Sequence, residues 1–161
     1  MTRIHGWWAG IVGIFISAGV LAGCSGGDHD NGRSGSGVCL LVSEVEPNAT
    51  ALTAQFLGDL FADDCFVVAG SIFDVTDVDS YRVLVQESLT LVVTLDHSPL
   101  VDFDIQLFDV DSGQLIRDCG VPVVPEVCTV SFVLRGRDLA VDVVVTSAAG
   151  AGTYTLTLDA Q

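Results

Sequence analysis

The side chains in this chain that could do chemistry are mostly carboxylates. Glu44, Glu46 and Asn48 stand at alternate positions, and Asp74, Asp77 and Asp79 follow some thirty residues later. Carboxylate and amide oxygens are hard donors, and calcium takes six to eight of them converging from loops. These six residues are therefore the candidate ligands, and calcium is the one cofactor the sequence suggests. The alternative is a set of solvated acidic turns. Asp102 and Asp104 share one strand face about 7 Å apart, a spacing suited to acid–base work but common to any acidic strand. His97, in Asp96-His97-Ser98-Pro99, is the one histidine beyond position 37 and is expected to be an exposed turn residue. No Gly-x-Ser-x-Gly, His-Glu-x-x-His or glycine-rich phosphate loop accompanies it in residues 38–161, so an enzyme is not expected.

The five cysteines divide by position. Cys24 closes an N-terminal apolar segment, whereas Cys39, Cys65, Cys119 and Cys128 lie in the body of the chain. Four cysteines allow three disulfide pairings. Cys119 and Cys128 bracket a loop holding Pro122 and Pro125, so their pairing is the simplest, which leaves Cys39 for Cys65. A zinc site is the alternative, but there is no Cys-x-x-Cys spacing and only His97 as a companion. Disulfides imply an oxidising compartment, such as the periplasm or cell surface.

The elements that must position these groups read as strands. In Gly70–Leu95 an acidic loop leads to Tyr81, Val83 and Val85 on one face of a first strand. Leu89, Leu91, Val93 and Leu95 line one face of a second, and Ser80, Arg82, Gln86, Thr90 and Thr94 point the other way. A period of two with one apolar face describes a half-buried strand. Val101–Leu107, Val130–Leu134, Leu139–Val145 and Tyr154–Leu158 repeat it, with turns at Asp111-Ser112-Gly113, 135–138 and 148–152. The stretch from Ala49 to Phe61 predicts a turn or at most a short helix, followed by a strand over Cys65–Ala69. The expected fold is all-β, an antiparallel β-sandwich over residues 38–161.

No lysine is present, and every one of the 21 carboxylates follows residue 24. With five arginines in the same stretch, residues 25–161 carry a net charge of −16. Such a surface repels phosphate backbones, which excludes nucleic acid as a partner. Apolar residues make up 50% of the chain and aromatics 7%, so Val and Leu must build the core.

Residues 1–23 read as a signal peptide: Arg3 and His5 precede an apolar run from Trp7 to Val20, which is short for a membrane span. Leu21-Ala22-Gly23-Cys24 resembles the lipobox of bacterial lipoproteins. The resemblance implies that Cys24 is lipidated on sulfur, becomes the mature N-terminus and anchors the chain in a membrane. Ser25 rather than Asp follows it, which by resemblance to Gram-negative sorting implies the outer membrane over the inner. Residues 24–37 then form the lipidated cysteine and a flexible Gly/Ser/Asp tether reaching about 20 Å.

Glu44-x-Glu46-Pro47-Asn48-x-Thr50, the Gly70-Ser71-Ile72 step, Asp77-x-Asp79-Ser80-Tyr81 and the closing Gly152-Thr153-Tyr154-Thr155-Leu156 together resemble the bacterial pre-peptidase C-terminal domain. That family is a small antiparallel β-sandwich of jelly-roll type appended to secreted proteases. Ala49 stands where Asp is usual, and Arg82 replaces the usual aromatic. Related collagen-binding sandwiches hold calcium near their N-terminal acidic segment, which adds to the case for that ion. The reading that follows is a non-enzymatic envelope lipoprotein whose sandwich binds a protein or polysaccharide partner. The alternative is a structural or accessory subunit, favoured by an uncharged apolar strand edge; the Val67/Val68 and Val143–Val145 runs are the places to expect one.

Overall fold

Alternation of apolar and polar residues leaves each strand one greasy face, and two sheets must stack to bury both. The computed structural model describes residues 38–161 and shows ten strands: β1 Leu40–Ser43, β2 Gln55–Leu60, β3 Cys65–Ile72, β4 Val78–Val85, β5 Leu89–His97, β6 Asp102–Asp109, β7 Leu115–Asp118, β8 Glu126–Phe132, β9 Leu139–Ala149 and β10 Gly152–Ala160. One sheet has the order β1-β3-β10-β5-β8 and the other β2-β4-β9-β6-β7. Cys24, the signal segment and the tether lie outside the described residues.

Between the sheets lie Val68, Ile72, Val83, Val85, Leu91, Val93, Leu95, Phe103, Ile105, Leu107, Val141, Val143, Val145, Leu156 and Leu158, all buried. Most are β-branched or Leu, which suits a pleated, two-sided core. Each contributes roughly 1.5–3 kcal/mol by leaving water.

The sheets are mixed rather than wholly antiparallel. β1 runs parallel to β3 and β2 parallel to β4, so each sheet has one parallel edge strand. Gln55–Leu60 is itself a strand, not a helix or turn. It is short and exposed along one side, and its register shifts around Gly58, whose φ of 143° only glycine adopts with ease. The Val67/Val68 and Val143–Val145 runs are interior, because β3 and β9 each have neighbours on both sides. The uncharged apolar edge is β1 instead, where Leu40 and Leu41 are exposed.

The cysteines pair as Cys39–Cys65 and Cys119–Cys128. The first ties β1 to the start of β3, and the second ties the end of β7 to β8.

The register places five loops at one end of the sandwich, here the upper end: 44–54, 73–77, 98–101, 119–125 and 150–151. Loops 61–64, 86–88, 110–114 and 133–138 form the lower end. Fifteen large apolar side chains are exposed among the described residues, and eight lie on the upper loops: Val45, Leu52, Phe73, Val75, Leu100, Val121, Val123 and Val124.

Candidate functional site

Where β1 ends, Glu44 continues the ladder by donating its N–H to the Ala69 carbonyl at 3.0 Å. Its side chain turns inward. Glu44 Oε2 accepts from the Ser71 N–H at 2.9 Å and Oγ at 3.3 Å, and Oε1 accepts from the Tyr81 hydroxyl at 3.1 Å and Asn48 Nδ2 at 3.2 Å. Two residues on, Glu46 Oε2 accepts the Asn48 N–H at 2.8 Å. The Asn48 carbonyl in turn receives the Ser80 N–H at 3.1 Å. Asn48 is thereby held at 0% exposure.

Asp79 reaches the same place from β4. It too is 0% exposed, and its Oδ2 accepts from the Tyr154 hydroxyl at 2.6 Å. Tyr154 belongs to the opposite sheet and meets the Tyr81 hydroxyl at 2.6 Å. A Cβ at position 70 would collide with the Tyr154 hydroxyl, so Gly70 is what lets that ring tip reach across.

One oxygen each from Glu44, Glu46 and Asp79 lies within 4.8 Å of the others. At an effective dielectric of about 20, two like charges 4.8 Å apart cost about 3.5 kcal/mol, and less where one of them, as Glu46, is exposed to solvent. Burial pushes Asp79 up to about 8, reinforced by Glu44 and Asp77 and opposed by the Tyr154 hydrogen bond. Burial also pushes the Tyr81 and Tyr154 hydroxyls up, which keeps both neutral. The cluster needs positive charge, from a proton or from a cation.

Two oxygens of these residues are left unsatisfied. Asn48 Oδ1 and Asp79 Oδ1 are buried without a protein partner, and an unpaired buried acceptor costs about 1–3 kcal/mol. Every donor here is a hard oxygen, and the carboxylates converge from a loop and a strand. Glu44, Glu46, Asn48 and Asp79 fit calcium, with waters or backbone carbonyls completing the shell.

Asp74 and Asp77 stay out of this set. Asp74 Oδ1 accepts the Thr76 N–H at 2.8 Å and its hydroxyl at 2.6 Å, which holds the carboxyl below its usual range. Asp77 Oδ2 accepts the Phe73 N–H at 2.7 Å, and its Oδ1 the Val78 N–H at 3.0 Å. Both close the 73–77 loop on itself, a common use of Asp in turns.

His97 is not the exposed turn residue its neighbours suggest. It closes β5 and is buried, its ring 5.1 Å from that of Phe103 and its Nδ1 2.9 Å from the Ser98 carbonyl. With Tyr154, Gly70 and Ser71 it lines an open groove of about 720 Å³ beside the acidic cluster. A second cleft, of about 460 Å³, opens between loops 98–101 and 119–125.

Glu126 is the functional candidate that sequence reasoning missed. It is 0% exposed at the start of β8, with Oε1 accepting the Ile105 N–H at 3.3 Å and Oε2 unpartnered. Burial pushes it up to about 7, against that hydrogen bond and with Asp104, Asp102 and Asp118 adding to the rise. The available signal was the period of two running back from Phe132 through Val130 and Cys128, which puts Glu126 on the inward face.

No family model matches this chain, and no curated protein does. Among solved structures, the chain is similar to the pre-peptidase C-terminal domain of collagenase from Bacillus anthracis. The TM-score is 0.52 at 12% identity, covering 73% of this chain and 100% of that one. It is also similar to PliG, a periplasmic inhibitor of g-type lysozyme from Aeromonas hydrophila, with TM-score 0.50 at 12% identity over 67% of this chain and 97% of that one. At these identities the likeness is one of fold: the described residues form a sandwich like that of the pre-peptidase C-terminal domain.

Proposed function

We propose that this chain is a non-enzymatic envelope lipoprotein whose β-sandwich is a binding module, presented outside the cytoplasm on a tether from lipidated Cys24. The observation that carries the binding role is the concentration of exposed apolar side chains at the upper end. Monomeric domains rarely gather such groups without a use for them, and the lower end, with Val133, has far fewer. Calcium, held by Glu44, Glu46, Asn48 and Asp79, supplies the charge that pins loop 44–54 to β4, so that the upper loops present a fixed shape. The solved neighbours support a non-catalytic role: one is an appended domain of a protease and the other a protein inhibitor. The two disulfides support an extracytoplasmic location, and Ser25 favours the outer membrane.

One experiment tests both anchor and module. Full-length chain carrying a photo-crosslinking residue at Leu100 or at Val133 is made in cells fed labelled palmitate, with and without Cys24→Ser. The expected result is label lost in Cys24→Ser, and a discrete adduct from position 100 that position 133 does not give. Equal labelling of the variant, or adducts from position 133 alone, contradicts the reading.

The structural-subunit reading keeps one observation in its favour, the uncharged β1 edge with Leu40 and Leu41 exposed. Sedimentation of the full chain as a dimer that Leu41→Lys dissociates would support it.

A further inference from the structure

The upper end of the described residues combines two properties. Its apolar tips project far into solvent: Leu100 is 91% exposed and Phe73 85%. Its five loops contain neither lysine nor arginine, whereas loop 133–138 at the lower end carries Arg135 and Arg137. Carboxylates surround the tips: Glu46, Asp74, Asp96, Asp102 and Asp118 sit on the upper loops or at the strand ends feeding them, while Arg82, which donates to the Ala51 carbonyl of loop 44–54, is paired with Asp142. The cleft of about 460 Å³ between Leu100 and Val124, with Asp102 on its wall, is large enough for one bulky apolar side chain.

We propose that the upper end docks a cationic protein, whose apolar anchor seats in the cleft between loops 98–101 and 119–125. The inference rests on the binding-module reading and names the partner's chemistry. An apolar centre inside a charged rim is the usual anatomy of a specific protein interface, and the rim's sign selects the opposite charge in the partner. An anionic membrane surface is repelled by the same carboxylates. A neutral sugar would want an exposed aromatic face on the cleft wall, and the exposed aromatic of the upper loops, Phe73, is on a different loop.

The test uses the full chain in non-ionic detergent and three labelled dodecapeptides: alternating Lys–Leu, Glu–Leu and Ser–Leu. Vesicles of phosphatidylglycerol serve as a fourth probe. The Lys–Leu peptide should bind at least tenfold tighter than the other two, and weaken severalfold between low and physiological salt as screening shortens. Leu100→Ser with Val123→Ser, and separately Asp102→Asn with Asp118→Asn, should each weaken it about fivefold or more. Asp63→Asn with Asp111→Asn, at the lower end, should change it less than twofold. Unchanged melting curves show that the exposed substitutions leave the fold intact. Equal loss from the lower-end pair, equal binding of the Glu–Leu peptide, or preference for the vesicles overturns the proposal. If the Ser–Leu peptide binds best and Leu100→Ser still weakens it, the cationic partner is wrong while the module stands. If no probe binds while position 100 still gives its adduct, the cationic partner is wrong and the module stands; if neither is seen, both readings fall.

Discussion

Asp79 shows how one side chain links the acidic cluster to pH and to metal. Its folded-state value of about 8 lies above the ordinary 3.8. A raised carboxylate holds its proton in the folded chain where the unfolded chain has lost it. The stability it contributes is therefore full below about pH 4 and is lost as pH rises through 8. Were calcium to occupy the cluster, as proposed, it would replace the proton and reverse this, because its ligands must be deprotonated. Adding calcium is thus expected to raise the melting temperature more at pH 8.5 than at pH 6, and Asp79→Asn to abolish most of the difference. An equal rise at both pH values, or none, would remove calcium from the cluster. Glu44, Glu46, Asn48 and Asp79 were legible as candidates from residue type and spacing alone. Asp74 and Asp77 looked the same, yet their oxygens are consumed by their own loop, which composition does not reveal. Tyr81 and Tyr154 were legible only as core residues, since their hydroxyls meet across the two sheets at a separation of 73 residues.

At the scale of elements, the interior strands were legible, as was the edge strand β8 through Val130 and Phe132, but the other three edge strands were not. β5, β6 and β10 alternate cleanly because both their neighbours and one face are fixed, and β4 and β9 do so apart from the runs 79–81 and 141–143, buried on both faces. β1, β2 and β7 are edge strands of four to six residues, and one open side relaxes the demand for alternation. The parallel pairing of β1 and β2 was equally hidden, because strand direction follows from long-range topology rather than local period. The disulfides secure two of these weak places. In the loop-entropy picture, closing 26 residues between Cys39 and Cys65 stabilises by about 3.5 kcal/mol, and closing nine between Cys119 and Cys128 by about 2.5 kcal/mol. Denaturant melts of Cys39→Ser/Cys65→Ser and Cys119→Ser/Cys128→Ser should show the larger loss in the first variant. A larger loss in the second would mean that loop 119–125, rather than β1, is the segment the fold has most trouble holding.

On the scale of the whole molecule, both ends are acidic, but among the described residues the exposed apolar side chains gather at the upper end and the loop arginines, Arg135 and Arg137, at the lower. Residues 25–161 carry −16, and the upper end brings its arginine-free loops, its acidic cluster and its apolar tips together. Composition revealed the net charge, but not the gathering of apolar tips at one end, which needs the register of ten strands. The most direct measurement is hydrogen exchange on the full chain, compared between native envelope membranes and isolated detergent micelles. The account predicts slower exchange in the envelope over loops 73–77, 98–101 and 119–125, with the sheet faces and lower loops unchanged. Protection along β1 or the lower loops, with the upper end exchanging equally in both, would contradict it.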